Sequence, residues 1–139
     1  GKISKTKPKC FATVNKKKII DYNKLNFLLF KKVLIITGYK SHLIKKKFEK
    51  NKKIHLIHNK NFKTTNMVQS TFLAKNKVGN SDVIICYGDI IFDQNILKKM
   101  IKSKKKNLMP LNSNWLNLWK KRMNTKKIKL DAENLKTKK

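Results

Sequence analysis

The chain has 139 residues, 36 of them basic and seven acidic, giving a formal charge of +29. That length fits one compact domain with a real core, and Lys31 and Lys32 break the apolar residues 25–30 and 33–36 well short of the roughly 20 needed to cross a bilayer. No apolar stretch of about 7–15 residues follows the basic start, so neither a secretory leader nor a membrane partner is expected, and the cytoplasm is the expected compartment.

In chain order, Lys7-Pro8-Lys9-Cys10-Phe11 comes first. A lysine fixed by a preceding proline can serve as a point charge on a phosphate, but in a chain this rich in lysine the same residue also reads as solvated surface. Val33-Leu34-Ile35-Ile36-Thr37, closed by Gly38, reads as a strand buried on both faces. The theme returns in Ile54-His55-Leu56-Ile57-His58 and in Asp82-Val83-Ile84-Ile85-Cys86-Tyr87. Between these runs, residues 41–51 and 66–76 carry apolar side chains at helical spacing, with Ser41 and Asn66 as candidate N-caps. A third helix, begun by Asp93 and striped by Ile96, Leu97, Met100 and Ile101, leads to an expected strand at Leu108-Met109-Pro110-Leu111. Strands alternating with helices favour a parallel α/β sheet with right-handed crossovers. No repeat and no Gly/Ser- or Pro-rich linker divides the chain, so residues 1–139 read as one domain or part of one. Residues 124–139, largely polar and basic, are expected to be poorly ordered.

Charge of this size points at face value to a polyanion partner. Its quality argues otherwise, because Arg122 is the sole arginine, whereas nucleic-acid readers use guanidinium for bidentate contacts. Lysines sit on every presumed solvent face, and no separate basic arm exists. A basic RNA- or DNA-binding module is therefore the runner-up, and a nucleic acid is not the expected partner. Cys10 and Cys86 lack a second Cys or His at metal-ligand spacing and read as reduced thiols. His42, His55 and His58 likewise have no carboxylate or Cys at ligand spacing. Trp115 and Trp119, one helical turn apart, fit a core stripe better than a cation cage.

Asp89 follows an apolar run and Gly88, which puts its carboxylate at the C-terminal edge of a parallel sheet, where open α/β sheets bind ligands. There it could hold Mg²⁺ that bridges to substrate phosphates, with Gly88 leaving room for them. Position alone allows an Asx-turn or a helix cap equally well.

Lys7-Pro8-Lys9, Ile19-Ile20-Asp21-Tyr22, the run from Val33 to Tyr39, Thr64-Thr65-Asn66 and Tyr87-Gly88-Asp89-Ile90, in that order, resemble the nucleotidyltransferases that activate sugar 1-phosphates, phosphocholine or aminoalkylphosphonates. Trp115, Trp119 and Arg122, then Asp131-Ala132-Glu133, look like a subgroup continuation. The resemblance implies a Rossmann-like, mostly parallel sheet and Mg²⁺-dependent transfer of a nucleotidyl group from an NTP to a phosphate- or phosphonate-bearing small molecule, with pyrophosphate released. CTP is favoured. Lys9 would be the signature lysine that stabilises phosphate charge, Asp89 a metal ligand, and Thr65, Asn66 and Gly88 nucleotide contacts. For Asn66, simple helix capping is an equal alternative. The family begins with a strand and a glycine-rich Gly-x-Gly-x-Arg loop, and this sequence starts at Gly1, past that loop. The family also continues beyond residue 139, where a second metal ligand usually lies; Asp131 or Glu133 could be such an acid. The expectation is thus an incomplete domain, a fragment or a decayed copy, with little catalysis of its own.

Overall fold

The computed structural model describes residues 6–121 and 123–131. Its contacts divide the chain into two units, Gly1–Ser103 and Lys104–Lys139.

The first unit opens on a 3-10 turn, Lys9–Phe11, followed by a small antiparallel hairpin of β1 (Thr13–Val14) and β2 (Lys17–Lys18). Its two-residue loop places Asn15 and Lys16 at φ 47° and 62°, the left-handed pair whose twist suits a tight hairpin. Two short helices come next, α1 (Ile19–Tyr22) and α2 (Lys24–Phe27). Then β3 (Val33–Thr37), helix α3 (Ser41–Phe48) and β4 (Ile54–His58) build a parallel strand pair joined by a crossover helix. The fold is mixed α/β, with one parallel and one antiparallel pair, and is compatible with an incomplete Rossmann-like sheet.

Register explains the core. Val33 stands opposite Ile54 and Ile35 opposite Leu56, so one face of the pair presents four apolar side chains at the period-2 spacing of a strand. Against that cluster pack Leu43 of α3 and its Ile44 and Phe48, four residues apart on one helix face, together with Phe11, Ile20 and Phe27. Phe27 and Phe48 meet edge to face with ring centroids 6.1 Å apart. On the opposite face, His55 is exposed and Leu34, Ile36 and Ile57 are half-covered, so β3 is not buried on both faces as its unbroken apolar run implies.

Beyond β4, α4 (Met67–Phe72) and α5 (Lys75–Val78) occupy the stretch read as one helix, divided around Leu73 and Ala74. Asn66 caps α4 through a reciprocal capping box with Gln69. Asp93 caps α6 (Gln94–Lys102), accepting from the Asn95 N–H at 2.7 Å, and Leu97 is the buried anchor of that helix. Ser41 is not a cap: Lys40, at φ 52°, precedes the helix, and Ser41 is its first residue.

Neither of the other two expected strands forms. Residues 82–87 and 108–111 are irregular, because no neighbouring strand offers them a ladder among the described residues, and Pro110 has no N–H to give one. Their side chains show it: Val83, Ile85, Tyr87, Met109 and Leu111 are exposed.

In the second unit, α7 (Trp115–Lys120) and α8 (Thr125–Asp131) follow each other. Helix α8 falls within the 124–139 stretch for which little order was expected; residues 132–139, Arg122 and the Ala132-Glu133 pair lie outside the described residues.

Candidate functional site

Lys9 begins the 3-10 turn that Pro8 starts. The Phe11 N–H donates to the Pro8 carbonyl and the Ala12 N–H to the Lys9 carbonyl, both at 2.9 Å, while Phe11 is buried in the core. The exposed Lys9 ammonium thus stands on an anchored turn, so its backbone costs little further ordering when it meets an anion.

Asp89 lies in an open turn, Gly88-Asp89, with an exposed side chain. The helix downstream is capped by Asp93, and Asp89 makes neither a cap nor an ion pair among the described residues. It does not stand at the end of a paired strand, since 82–87 pairs with nothing among the described residues. Its position is set instead by side chains that the sequence did not single out. The buried Asn23 donates from Nδ2 to the Ile90 carbonyl at 3.0 Å and accepts from Asn26 Nδ2 at 3.2 Å, and Gln94 Nε2 donates to the Leu25 carbonyl at 2.9 Å. These bonds tie the Asp89 turn to α1 and α2. A Cβ on Gly88 would meet no heavy atom within 4 Å, so there is room beside Asp89 for a ligand.

Among the described residues no ion pair joins Lys9 to Asp89. Burial raises the Cys10 thiol above its ordinary range, and the negative charge of Asp89 raises it further, against opposing effects from the Cys10 backbone and Lys47. The Thr65-Asn66 turn is joined to the stretch just before Gly88 through the Tyr87 hydroxyl, which lies 2.7 Å from the sulfur of Met67, the residue after Asn66.

That turn is held by a residue sequence reasoning missed. Asn59, buried just after β4, donates from Nδ2 to Thr65 Oγ1 at 2.8 Å and to Ser70 Oγ at 2.9 Å, and its Oδ1 accepts from the Asn61 N–H. Its own N–H donates to the Thr37 carbonyl at the end of β3. Thr65 in turn donates to the Asn61 carbonyl, and Asn66 Oδ1 accepts from the Gln69 N–H. Both side chains therefore have structural work, and capping is what Asn66 is seen to do. An Asn directly after a β-branched strand, six residues before a Thr, was the available signal. Gly38 is a second one. A Cβ there would lie 2.5 Å from Phe62 Cβ and 2.7 Å from its Cγ, so only glycine lets the 59–65 loop close over the end of β3.

The remaining candidates gather no chemistry. Among the described residues no three His, Cys, Asp or Glu side chains cluster to hold a metal, and His42, His55 and His58 are exposed. Trp115 and Trp119 pack edge to face, centroids 5.8 Å apart, so they cover one another rather than walling a cation cage. No helix among the described residues is long and apolar enough to cross a membrane.

No family model matches the chain, and no solved structure matches it. Among curated proteins, a CTP:phosphoglutamine cytidylyltransferase of Campylobacter jejuni is 31% identical over 127 residues, covering 86% of this chain and 50% of the relative. The chain therefore spans half the length of that protein.

Proposed function

We propose that this chain belongs to the nucleotidyltransferases and carries part of a cytidylyltransferase site for a phosphorylated or phosphonate-bearing small molecule. The likeness to the C. jejuni enzyme supports the family and a CTP-linked reaction. The observation that carries the site is Asp89, an exposed carboxylate with neither a cap nor an ion pair among the described residues, on a turn held by the buried Asn23.

In such a reaction an acceptor phosphate or phosphonate oxygen attacks the α-phosphorus of CTP. The α–β P–O bond breaks and pyrophosphate leaves, so charge builds on the phosphates and must be met by fixed positive groups. Lys9 supplies one such group as a compact point charge. A single hard carboxylate with open space beside it suits Mg²⁺ held mainly by water and substrate phosphates, rather than a resident ion caged by protein. Asp89 would hold that ion, whose chemistry is to neutralise phosphate charge. Thr65 and Asn66, held by Asn59, would border the nucleotide.

Calorimetric titration with CTP, with and without Mg²⁺, tests this on the 139-residue chain. Wild type is expected to bind weakly, with Mg²⁺ strengthening the binding, and Asp89→Asn is expected to abolish the Mg²⁺-dependent gain while leaving the metal-independent part. An Asp89→Asn variant that gains as much from Mg²⁺ as wild type removes Asp89 from the site.

A further inference from the structure

We propose that the first unit carries a second anion site, a cleft of about 650 Å³ that takes a short polyphosphate chain. It is lined by Lys16, Lys17 and Lys18 from the hairpin, by Asp21, Lys24 and Leu25 from α1 and α2, and by Lys47 from α3. Neither Lys9 nor Asp89 belongs to it. Five ammonium groups face one carboxylate, which leaves four net positive charges around a concave surface.

What separates these lysines from the many others is that they are held. Lys17 Nζ lies 4.6 Å from the centre of the Tyr22 ring and Lys18 Nζ 4.7 Å from that of Phe11, both within cation–π range. Lys47 Nζ is 2.6 Å from Asp21 Oδ1 and Lys24 Nζ 3.5 Å from the same oxygen. The hairpin turn fixes the backbone of Lys16. A free surface lysine gives up rotamer entropy on meeting an anion. Lysines already restrained by rings and a carboxylate lose less, and that is how preorganisation turns charge into affinity.

Ligand class follows from charge and size. Ammonium groups are point charges without the planar fork of arginine, so they reward dense negative charge rather than the shape of a base or a carboxylate. Apart from Leu25 the lining is charged, with no aromatic face for a base to stack on, which fits two or three linked phosphates better than a nucleic acid. Asp21 is the anchor that gathers Lys24 and Lys47, and it opposes the ligand.

The cleft does not depend on the cytidylyltransferase reading, and the test keeps the two apart. Binding of tripolyphosphate and of CTP is measured by calorimetry without Mg²⁺ at about 150 mM salt, where exposed charges are screened beyond about 8 Å. The variants are K16Q/K17Q/K18Q and the charge-matched control K98Q/K99Q/K102Q on α6. The cleft triple is expected to weaken tripolyphosphate by about tenfold or more, against less than about threefold for the control. Asp21→Asn is expected to change affinity in the opposite direction, tightening it by about threefold as the opposing charge is removed. Equal affinity for CTP and tripolyphosphate assigns the cleft to the phosphate chain whatever carries it; binding of tripolyphosphate alone assigns it to free polyphosphate. Equal losses in the two triples would overturn the proposal, since binding would then be the general attraction of a +29 chain. So would an oligonucleotide that needs the cleft lysines when tripolyphosphate does not bind.

Discussion

Two stretches of the first unit begin from nearly the same kind of sequence and end differently. Val33–Thr37 and Ile54–His58 pair in parallel, with α3 crossing between them. Residues 82–87, equally rich in valine and isoleucine, pair with nothing among the described residues, and Ile85 stays 70% exposed. Composition is therefore not what makes a strand here. A β-branched run has the propensity, but the ladder and the covered face come from a neighbour, and sheet stability is largely the packing of that neighbour's side chains.

The sharpest way to break this contrast is to truncate one apolar side chain on each side of it. Phe48→Ala, which empties a buried position against Phe27, should cost about 3–5 kcal/mol in urea unfolding. Ile85→Ala should stay within about 0.5 kcal/mol. A large loss at Ile85 would mean that 82–87 is packed in solution after all.

Gly38 comes next. It stands where β3 ends and the 59–65 loop closes, and Gly38→Ala should cost about 1–3 kcal/mol, because Phe62 Cβ is fixed to the backbone and cannot swing away from the new methyl. NMR shifts at Asn59, Thr65 and Asn66 should move with it, while those at Asp89 move less. An unchanged spectrum would show that Phe62 yields easily.

How much could be read in advance divides along the same line. The β3-α3-β4 unit was legible because its signals are local: short apolar runs closed by Gly38 or bounded by polar residues, with apolar side chains at helical spacing between them, and Asn66 and Asp93 marking later helix starts. The missing strands at 82–87 and 108–111 were not, because pairing depends on residues distant in sequence. Of the candidate site, Lys9 and Asp89 could be singled out by residue type and by resemblance, but the sheet edge expected beneath Asp89 does not form. Asn23 and Asn59, which do the positioning, are ordinary asparagines until their partners at Ile90, Thr65 and Ser70 are known.

The smallest expected effect concerns acid. Burial alone would raise the Asp21 carboxyl, but Lys47 and Lys24 outweigh it and hold the group below the ordinary carboxylate range. With the folded value depressed, its stabilising effect is complete above the unfolded carboxylate pKa of about 3.9 and fades as pH falls through the folded value. For a partly exposed pair the loss is at most about 1 kcal/mol. Urea midpoints from pH 6 down to about pH 2 should fall less steeply in Asp21→Asn than in wild type. Parallel curves would mean that the pair adds nothing to the folded state.

The placement of the aromatic residues has a spectroscopic consequence. Both tryptophans, Trp115 and Trp119, lie in the second unit, whereas Tyr22, Tyr39 and Tyr87 all lie in the first. Emission excited at the red edge of the absorption band, where tyrosine is silent, reports on residues 104–139 alone. Far-ultraviolet circular dichroism sums the helices of both units, so a melt recorded by both signals asks whether the tryptophan transition coincides with the whole or the two units unfold one at a time.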